Sequence, residues 1–280
     1  MSKLNLSNKC SSKISVYFRQ NATNCNFSKS ESWVVLSEIE QKIKAKIEAV
    51  GVPLKDWDIN IYRGILTGYN EAFIIDGKKK DELIAEDPKS AEIIRPLLRG
   101  RDIKRYSHEF ADLHLITTFP SLKIDIENYP AVKQHLMSFG YDRLRQTGDI
   151  GARKKTNNQW FETQDSISYW EDFSRQKIMY SDITERLSFC LVKDEAYCNN
   201  TVYFIVSETE NLEYLLNFLN SNLIDWYYKT LSVQLGTAAV RMFSIYVLNI
   251  PIPKNSTENI YEAYNLTKEE INFIESISCN

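Results

Sequence analysis

Three short runs and the segment after them decide the fold class: Lys177-Ile178-Met179-Tyr180, Leu187-Ser188-Phe189-Cys190-Leu191, Thr201-Val202-Tyr203-Phe204-Ile205-Val206, and then the stretch from Leu212 to Trp226. The first three are short, rich in β-branched and aromatic residues and bounded by charged or Asn-rich turns, as strands are. The fourth places Leu212, Leu215, Leu216, Leu219, Leu223 and Trp226 on one face at helical spacing; a single helix is expected over 211–229. Consecutive strands followed by a helix, without strict βα alternation, predict an α+β fold of mixed sheets with packed helices.

Upstream, Leu36, Ile39, Ile43, Ile47 and Val50 repeat every three or four residues ahead of Gly51 and Pro53, which predicts a helix capped by Ser30 or Ser32. Ile59 and Ile61 alternate with polar residues, and the Gly64–Gly68 stretch reads as the turn of a hairpin returning through Ala72–Ile75. Lys78, Lys79 and Lys80 beside Asp76, Asp81 and Glu82 read as a solvated loop. A short helix is expected from Ser90 to Leu98, stopped by Gly100. A strand is expected over 113–119, and a helix begins at Pro130 and closes at Gly140. Downstream, a strand over 246–250 runs into Pro251 and Pro253, and the tail is helical. The chain divides into a Ser/Asn/Lys-rich lead-in (1–31), an N-terminal α/β part (32–139), a polar-rich recognition part (140–255) and a helical tail (256–280).

With 43% apolar and 25% charged residues a substantial core can form, so wholesale disorder is excluded. The formal net charge is −3, which argues against a polycationic nucleic-acid coat, so a polyanion would have to meet a local basic face. No window reaches the ~18 consecutive apolar residues of a spanning helix, and the first residues lack an apolar signal region. Five scattered cysteines, Cys10, Cys25, Cys190, Cys198 and Cys279, form no CxxC pair. Free thiols in a reducing, cytoplasmic setting and no metal site are expected.

Catalytic patterns are missing. No Gly-x-Gly occurs, and the prolines never adjoin, so neither a Gly-rich cofactor turn nor the Asn/Asp-Pro-Pro-aromatic turn of an amino methyltransferase is present. No GxSxG nucleophile turn exists, and His108, His114 and His135 read as structural. Asp76, Asp87 and Lys89 loosely fit the carboxylate-and-lysine set of a Mg2+ nuclease, but Pro88 opposes the strand such a site needs. No catalytic residue is assigned.

Positive charge is instead concentrated twice: Arg95, Arg99, Arg101, Lys104 and Arg105, and then Arg143, Arg145, Arg153, Lys154 and Lys155. Such clusters can neutralise phosphates, while Arg, Asn and Gln can make bidentate contacts to guanine and adenine edges. Arg99, Arg101, Lys104, Arg105, Lys154 and Lys155 are the candidate phosphate contacts. Arg63, Asn70, Arg153, Asn157, Asn158 and Gln159 are candidates for base edges, and Thr67, in the Gly64–Gly68 turn, completes the DNA-facing set. Arg99-Gly100-Arg101-Asp102 reads equally as a helix stop in which Asp102 pairs an arginine. Trp160 and Phe161 either anchor their loop in the core, the reading favoured by the usual burial of Trp, or touch a base or sugar.

Several ordered motifs carry a resemblance. Gly64-Ile65-Leu66-Thr67-Gly68-Tyr69-Asn70-Glu71-Ala72-Phe73 and Ile94-Arg95-Pro96-Leu97-Leu98-Arg99-Gly100-Arg101-Asp102-Ile103 come first. Asn158-Gln159-Trp160-Phe161-Glu162, Lys177-Ile178, Ser181-Asp182-Ile183, Leu219-Asn220-Ser221 and Ile250-Pro251-Ile252-Pro253 follow in order. Over roughly 32–255 the chain resembles the TaqI-like C-terminal specificity domain of restriction-modification enzymes. The resemblance implies target recognition on double-stranded DNA, behind an adenine-specific methyltransferase domain and, in type IIG enzymes, a nuclease domain. It implies that S-adenosylmethionine, and Mg2+ if DNA is cut, are bound outside this chain. It does not name a target sequence. The other reading is a protein-interaction scaffold that positions partner domains without touching DNA, which the acidic total and amphipathic helices would fit.

Overall fold

The computed structural model describes residues 36–232, 234–235, 239–254 and 259–278. The lead-in over 1–31, the caps expected at Ser30 or Ser32, and Cys10, Cys25 and Cys279 lie outside them. The principal elements in chain order are α1 (Glu38–Val50), β1 (Asn60–Arg63), β2 (Ile74–Asp76), α2 (Gly77–Glu86), β3 (Ile94–Leu98), β4 (Leu113–Ile116), α3 (Pro130–Met137), β5 (Lys177–Ser181), β6 (Phe189–Val192), β7 (Tyr197–Cys198), β8 (Val202–Val206), α4 (Leu212–Leu219), α5 (Asn222–Leu231) and α6 (Lys268–Ser278).

Two four-stranded sheets organise the α+β fold. One has the order β6-β5-β8-β1 and is antiparallel throughout. The other, β7-β3-β4-β2, is mixed, because β7 runs parallel to β3 while the remaining pairs are antiparallel. Alternation along the strands explains why the first sheet is apolar on both faces. Val202, Phe204 and Val206 of β8 and Met179 of β5 enter the core shared with the second sheet. Tyr203, Ile205, Ile178 and Tyr180 turn the other way, onto a core formed with α1, α4 and α5. Each fully buried side chain of this size contributes about 1.5–3 kcal/mol, so a strand filled on both faces anchors both cores. The strands read at 177–180, 187–191 and 201–206 therefore form the centre of the molecule.

Five readings are corrected by the structure. The expected hairpin of 59–61 with 72–75 does not form, since β1 pairs with β8 and β2 with β4. At the end of β1 the chain crosses between sheets: Gly64 N donates to Val202 O (2.8 Å) and Ile65 N to Cys198 O (2.8 Å). A Cβ on Gly64 would sit 2.1 Å from Asn199 O, so the crossing requires glycine. Residues 94–98, read as part of a helix, are the central strand β3; Pro96, which has no N–H to donate, lies outside the two residues, Leu97 and Leu98, that β7 pairs. Lys78–Lys80 begin α2 instead of a loop, because the Asp76 carboxylate accepts from Lys79 N (2.7 Å) and caps the helix. Their charges are balanced locally as read, with Lys78 facing Glu82 (3.9 Å) and Lys80 facing Asp81 (3.2 Å).

The helix expected over 211–229 is two helices. At the junction Asn220 accepts from Phe189 N and donates to Phe189 O, both at 2.9 Å, so its amide continues the ladder at the edge of β6. Ser221 Oγ then caps α5 by accepting from Ile224 N (3.1 Å). Residues 246–250 are likewise not a strand: a helical turn, Ser244–Val247, precedes a two-residue strand, Pro251–Ile252, that pairs with Val52–Pro53. The helices read at 36–50, from Pro130 and in the tail are present.

Candidate nucleic-acid interface

Residues 141–165 hold only one short helix, Tyr141–Leu144, and are tied together by side chains bonding to backbone. Arg153 is the hub. Only 2% exposed, it donates through Nε to Leu144 O (2.7 Å), through Nη1 to Thr67 O (2.9 Å) and Glu162 O (2.8 Å), and through Nη2 to Trp160 O (2.7 Å). Burial pulls its pKa down to about 10, with Arg143 adding to the effect and Glu162 opposing it, so the guanidinium stays charged at neutral pH. Gln146 Nε2 donates to Gln159 O (3.1 Å) and Glu162 O (3.0 Å), and Asn158 Nδ2 to Thr163 O (3.1 Å) and Gln164 O (3.0 Å). The Glu162 carboxylate accepts from Gln159 N (2.6 Å). The polar richness of this stretch thus satisfies backbone groups that no sheet ladder reaches. Phe161 is buried and Trp160 half-buried, as anchors.

The candidates on this segment separate by side of the chain. Lys154, Lys155, Asn157 and Gln159 are exposed, and their side chains make no hydrogen bond or ion pair among the described residues. Thr67 is fully buried, its hydroxyl donating to Asn70 Oδ1 (2.7 Å), which leaves the exposed Asn70 amide nitrogen facing solvent. Because Thr67 O also accepts from Gln164 N (3.2 Å), the 67–70 and 153–164 segments are side by side. Arg143 lies over the Tyr69 ring at 4.0 Å and joins the same face.

A second group gathers where β1, β5 and β8 meet. Arg63 is exposed and its Nε donates to Asn200 O (3.0 Å). Gly100 N donates to Thr201 Oγ1 (3.0 Å), which brings the 99–102 turn to the same sheet end. In that turn Arg99 forks onto Asp102 with two bonds of 2.9 Å, while Arg101 is exposed. Burial alone would raise the Asp102 carboxyl, but the hydrogen bonds from Arg99 outweigh it and hold its pKa low. Lys104 Nζ donates to Arg101 O (2.9 Å), and Arg105 bonds Asn220 O while facing the Tyr106 ring. The sequence reading missed Asp182 and Arg241. Burial raises the Asp182 carboxyl against the opposing charges of Arg241 and Arg63, and Met242 N donates to Asp182 O (2.9 Å), which brings the 239–241 strand beside it. Arg241 stands alone among apolar neighbours in sequence, and only the pairing of 239–241 with 183–184 reveals it.

A metal-dependent cleavage site does not fit. Asp76 and Asp87 cap opposite ends of α2, a 10-residue helix about 15 Å long at ~1.5 Å per residue, so they cannot share an ion. Among the described residues no group of three or more His, Cys, Asp or Glu side chains could hold a metal. Cys190 and Cys198 are free and buried. No helix among the described residues is long and apolar enough to cross a membrane.

The described residues thus form an α+β core of mixed sheets that carries a cationic, amide-rich loop on a side-chain scaffold. The chain belongs to the TaqI-like C-terminal specificity domain family, whose sequence pattern matches residues 95–252. It is similar to the type II methyltransferase M.PaeR7I of Pseudomonas aeruginosa, 22% identical over 227 residues that cover 80% of this chain and 38% of that protein. Its fold is similar to the type IIG restriction endonuclease BpuSI, with a TM-score of 0.51 at 14% identity, covering 86% of this chain and 27% of that one. A weaker likeness joins it to the type IIL restriction-modification enzyme MmeI, solved in complex with DNA: TM-score 0.46, 12% identity, 81% of this chain and 29% of that one. The chain therefore spans well under half the length of each of these relatives.

Proposed function

We propose that this chain is the sequence-specific double-stranded DNA recognition module of a type II or type IIG restriction-modification enzyme, and that it positions a target adenine for an N6-adenine methyltransferase domain. One observation carries the reading: Lys154, Lys155, Asn157 and Gln159 stand exposed with unpaired side chains on a loop whose backbone Arg153 holds rigid. Unpaired cations and amides on a fixed frame suit a polyanion with edge-presenting bases, since phosphate contacts set register and amide contacts discriminate. A protein partner would leave such charges in need of acidic complements.

In this reading Lys154, Lys155, Arg101 and Lys104 meet phosphates. Arg63, Asn70, Asn157 and Gln159 reach base edges, each bidentate contact discriminating by about 1–3 kcal/mol. Thr67, Arg99, Arg105, Arg153 and Asn158 act by holding the backbone that presents them. Exposed Ile183, Phe243 and Ile245, grouped around the Arg241 strand, offer an apolar face on which a neighbouring catalytic domain can pack. S-adenosylmethionine, and Mg2+ if the whole protein cleaves, would then be bound by that domain.

Filter binding with an enriched and a scrambled duplex tests the assignment. Lys154→Ala with Lys155→Ala should weaken both complexes alike, while Gln159→Ala should relax preference at one base pair only. If neither substitution changes binding, the central loop is not the reader.

A further inference from the structure

Ile150 is the most exposed large apolar residue described, at 107% relative exposure. It occupies the tip of a tight turn between Gly148 (φ +79°) and Gly151 (φ +84°), left-handed positions that glycine adopts without strain. The turn is closed by Gly148 N to Arg153 O, Ala152 N to Asp149 O and Arg153 N to Arg145 O, each 3.0 Å. Its base is the Arg153 hub, so the tip projects from a rigid pedestal, and Arg143 Nη1 reaches Gly151 O (3.3 Å) to brace it. Turn tips favour Gly, Asn, Asp and Ser; a bare β-branched hydrocarbon there serves neither turn geometry nor solvation. Around it stand Arg143, Arg145, Lys154 and Lys155 against Asp142 and Asp149, both of which Arg145 pairs at 3.4 Å. The surroundings are net positive, which suits insertion beside phosphates more than docking on an apolar protein face.

We propose that Ile150 is an apolar wedge that enters the base stack of the bound duplex and locally unstacks it, with Lys154 and Lys155 gripping the flanking phosphates. This rests on the DNA-recognition reading and adds a residue to it. Small apolar side chains inserted at a base step kink or unstack DNA at a cost of a few kcal/mol, and such opening lowers the barrier to displacing a base for chemistry. The wedge places that opening in the recognition module, ahead of any catalytic domain.

The test uses the 280-residue chain and a duplex that it enriches from a random library, carrying 2-aminopurine in place of each adenine, or pyrrolo-cytosine in place of each cytosine, one position at a time. Wild-type chain should raise fluorescence several-fold at one or two adjacent positions. Ile150→Ala should lose that rise while affinity falls by no more than about tenfold, the scale of one side chain's apolar contact, and Ile150→Leu should restore it. Binding without any fluorescence rise, or a rise that survives in Ile150→Ala, overturns the wedge and leaves DNA recognition standing. Failure of the wild-type chain to enrich or bind any duplex overturns the recognition reading itself, and the wedge with it.

Discussion

Replacing Arg153 by Met keeps the unbranched stem and most of the volume of the side chain and deletes the fork that ties four carbonyls together. Those bonds run from 2.7 to 2.9 Å and reach Leu144, Thr67, Trp160 and Glu162, so one group joins three separated stretches of backbone. A hydrogen bond from a charged donor contributes about 1.5–3 kcal/mol, giving a gross value near 6–12 kcal/mol for four. Desolvating the guanidinium takes back several kcal/mol of this. We expect a net loss of about 3–5 kcal/mol, because four carbonyls lose their donor at once and the recovered desolvation offsets only part of that. The damage should be local first, because residues 141–165 have few sheet bonds to fall back on. Urea unfolding would report a lower midpoint, and amide hydrogen exchange would report lost protection at Arg153, Thr156, Glu162 and Thr163, whose amides are bonded within or beside this loop. Arg153→Lys should recover only part of the loss, since an ammonium cannot reach four carbonyls with three protons. A midpoint within experimental error of wild type, together with unchanged exchange across 144–165, would refute the assignment of Arg153 as the hub.

Further expectations concern the core. Asn220→Ala should cost about 1–3 kcal/mol in urea unfolding by leaving the buried Phe189 N without its acceptor, while Phe189 O keeps the bond from Tyr106 N (2.9 Å); a neutral result would mean the ladder ends without it. Gly64→Ala should destabilise by about 1–3 kcal/mol, because its Cβ would collide with Asn199 O at a sheet crossing. Lys177 is buried with Nζ donating to Phe173 O, Arg175 O and Asp194 O at 2.7–3.0 Å, and burial lowers its pKa to about 8 from 10.5. Between those values the unfolded chain binds more protons than the folded one, so the Lys177 contribution to stability rises with pH and its penalty is full below about pH 8. The buried thiols Cys190 and Cys198, pushed up by burial, work in the opposite sense as the unfolded thiols ionise near pH 9. The clean readout is the difference between wild type and Lys177→Met, which should shift by about 1 kcal/mol in favour of wild type from pH 7 to 9. A flat difference would show that the three carbonyls offset the burial.

Periodicity made α1, the strands β5, β6 and β8 and the tail helices legible, because each buries a face whose repeat matches its backbone. It failed where local signals conflicted with long-range pairing. Ser90 and Gly100 look like a helix start and stop around 94–98, yet pairing with β4 and β7 makes that run a central strand. Asn220-Ser221 looks like a tolerable step inside a long helix until the amide of Asn220 is seen completing the ladder on Phe189. On the candidate loop Arg153 and Lys154 are adjacent and alike in charge, and only the path of the backbone turns one inward and the other out. Arg241 carried no sequence signal, since Asp182, on which its charge acts, is distant in the chain.

The most direct measurement is fluorescence anisotropy of a labelled mixed-sequence duplex titrated with the chain between about 50 and 200 mM salt. The account predicts measurable binding whose log affinity falls linearly with log salt, with a slope reduced by about 2 when Lys154 and Lys155 are both alanine, because each ammonium neutralises one phosphate. Binding that is absent, or whose slope is unchanged by the double substitution, would contradict it.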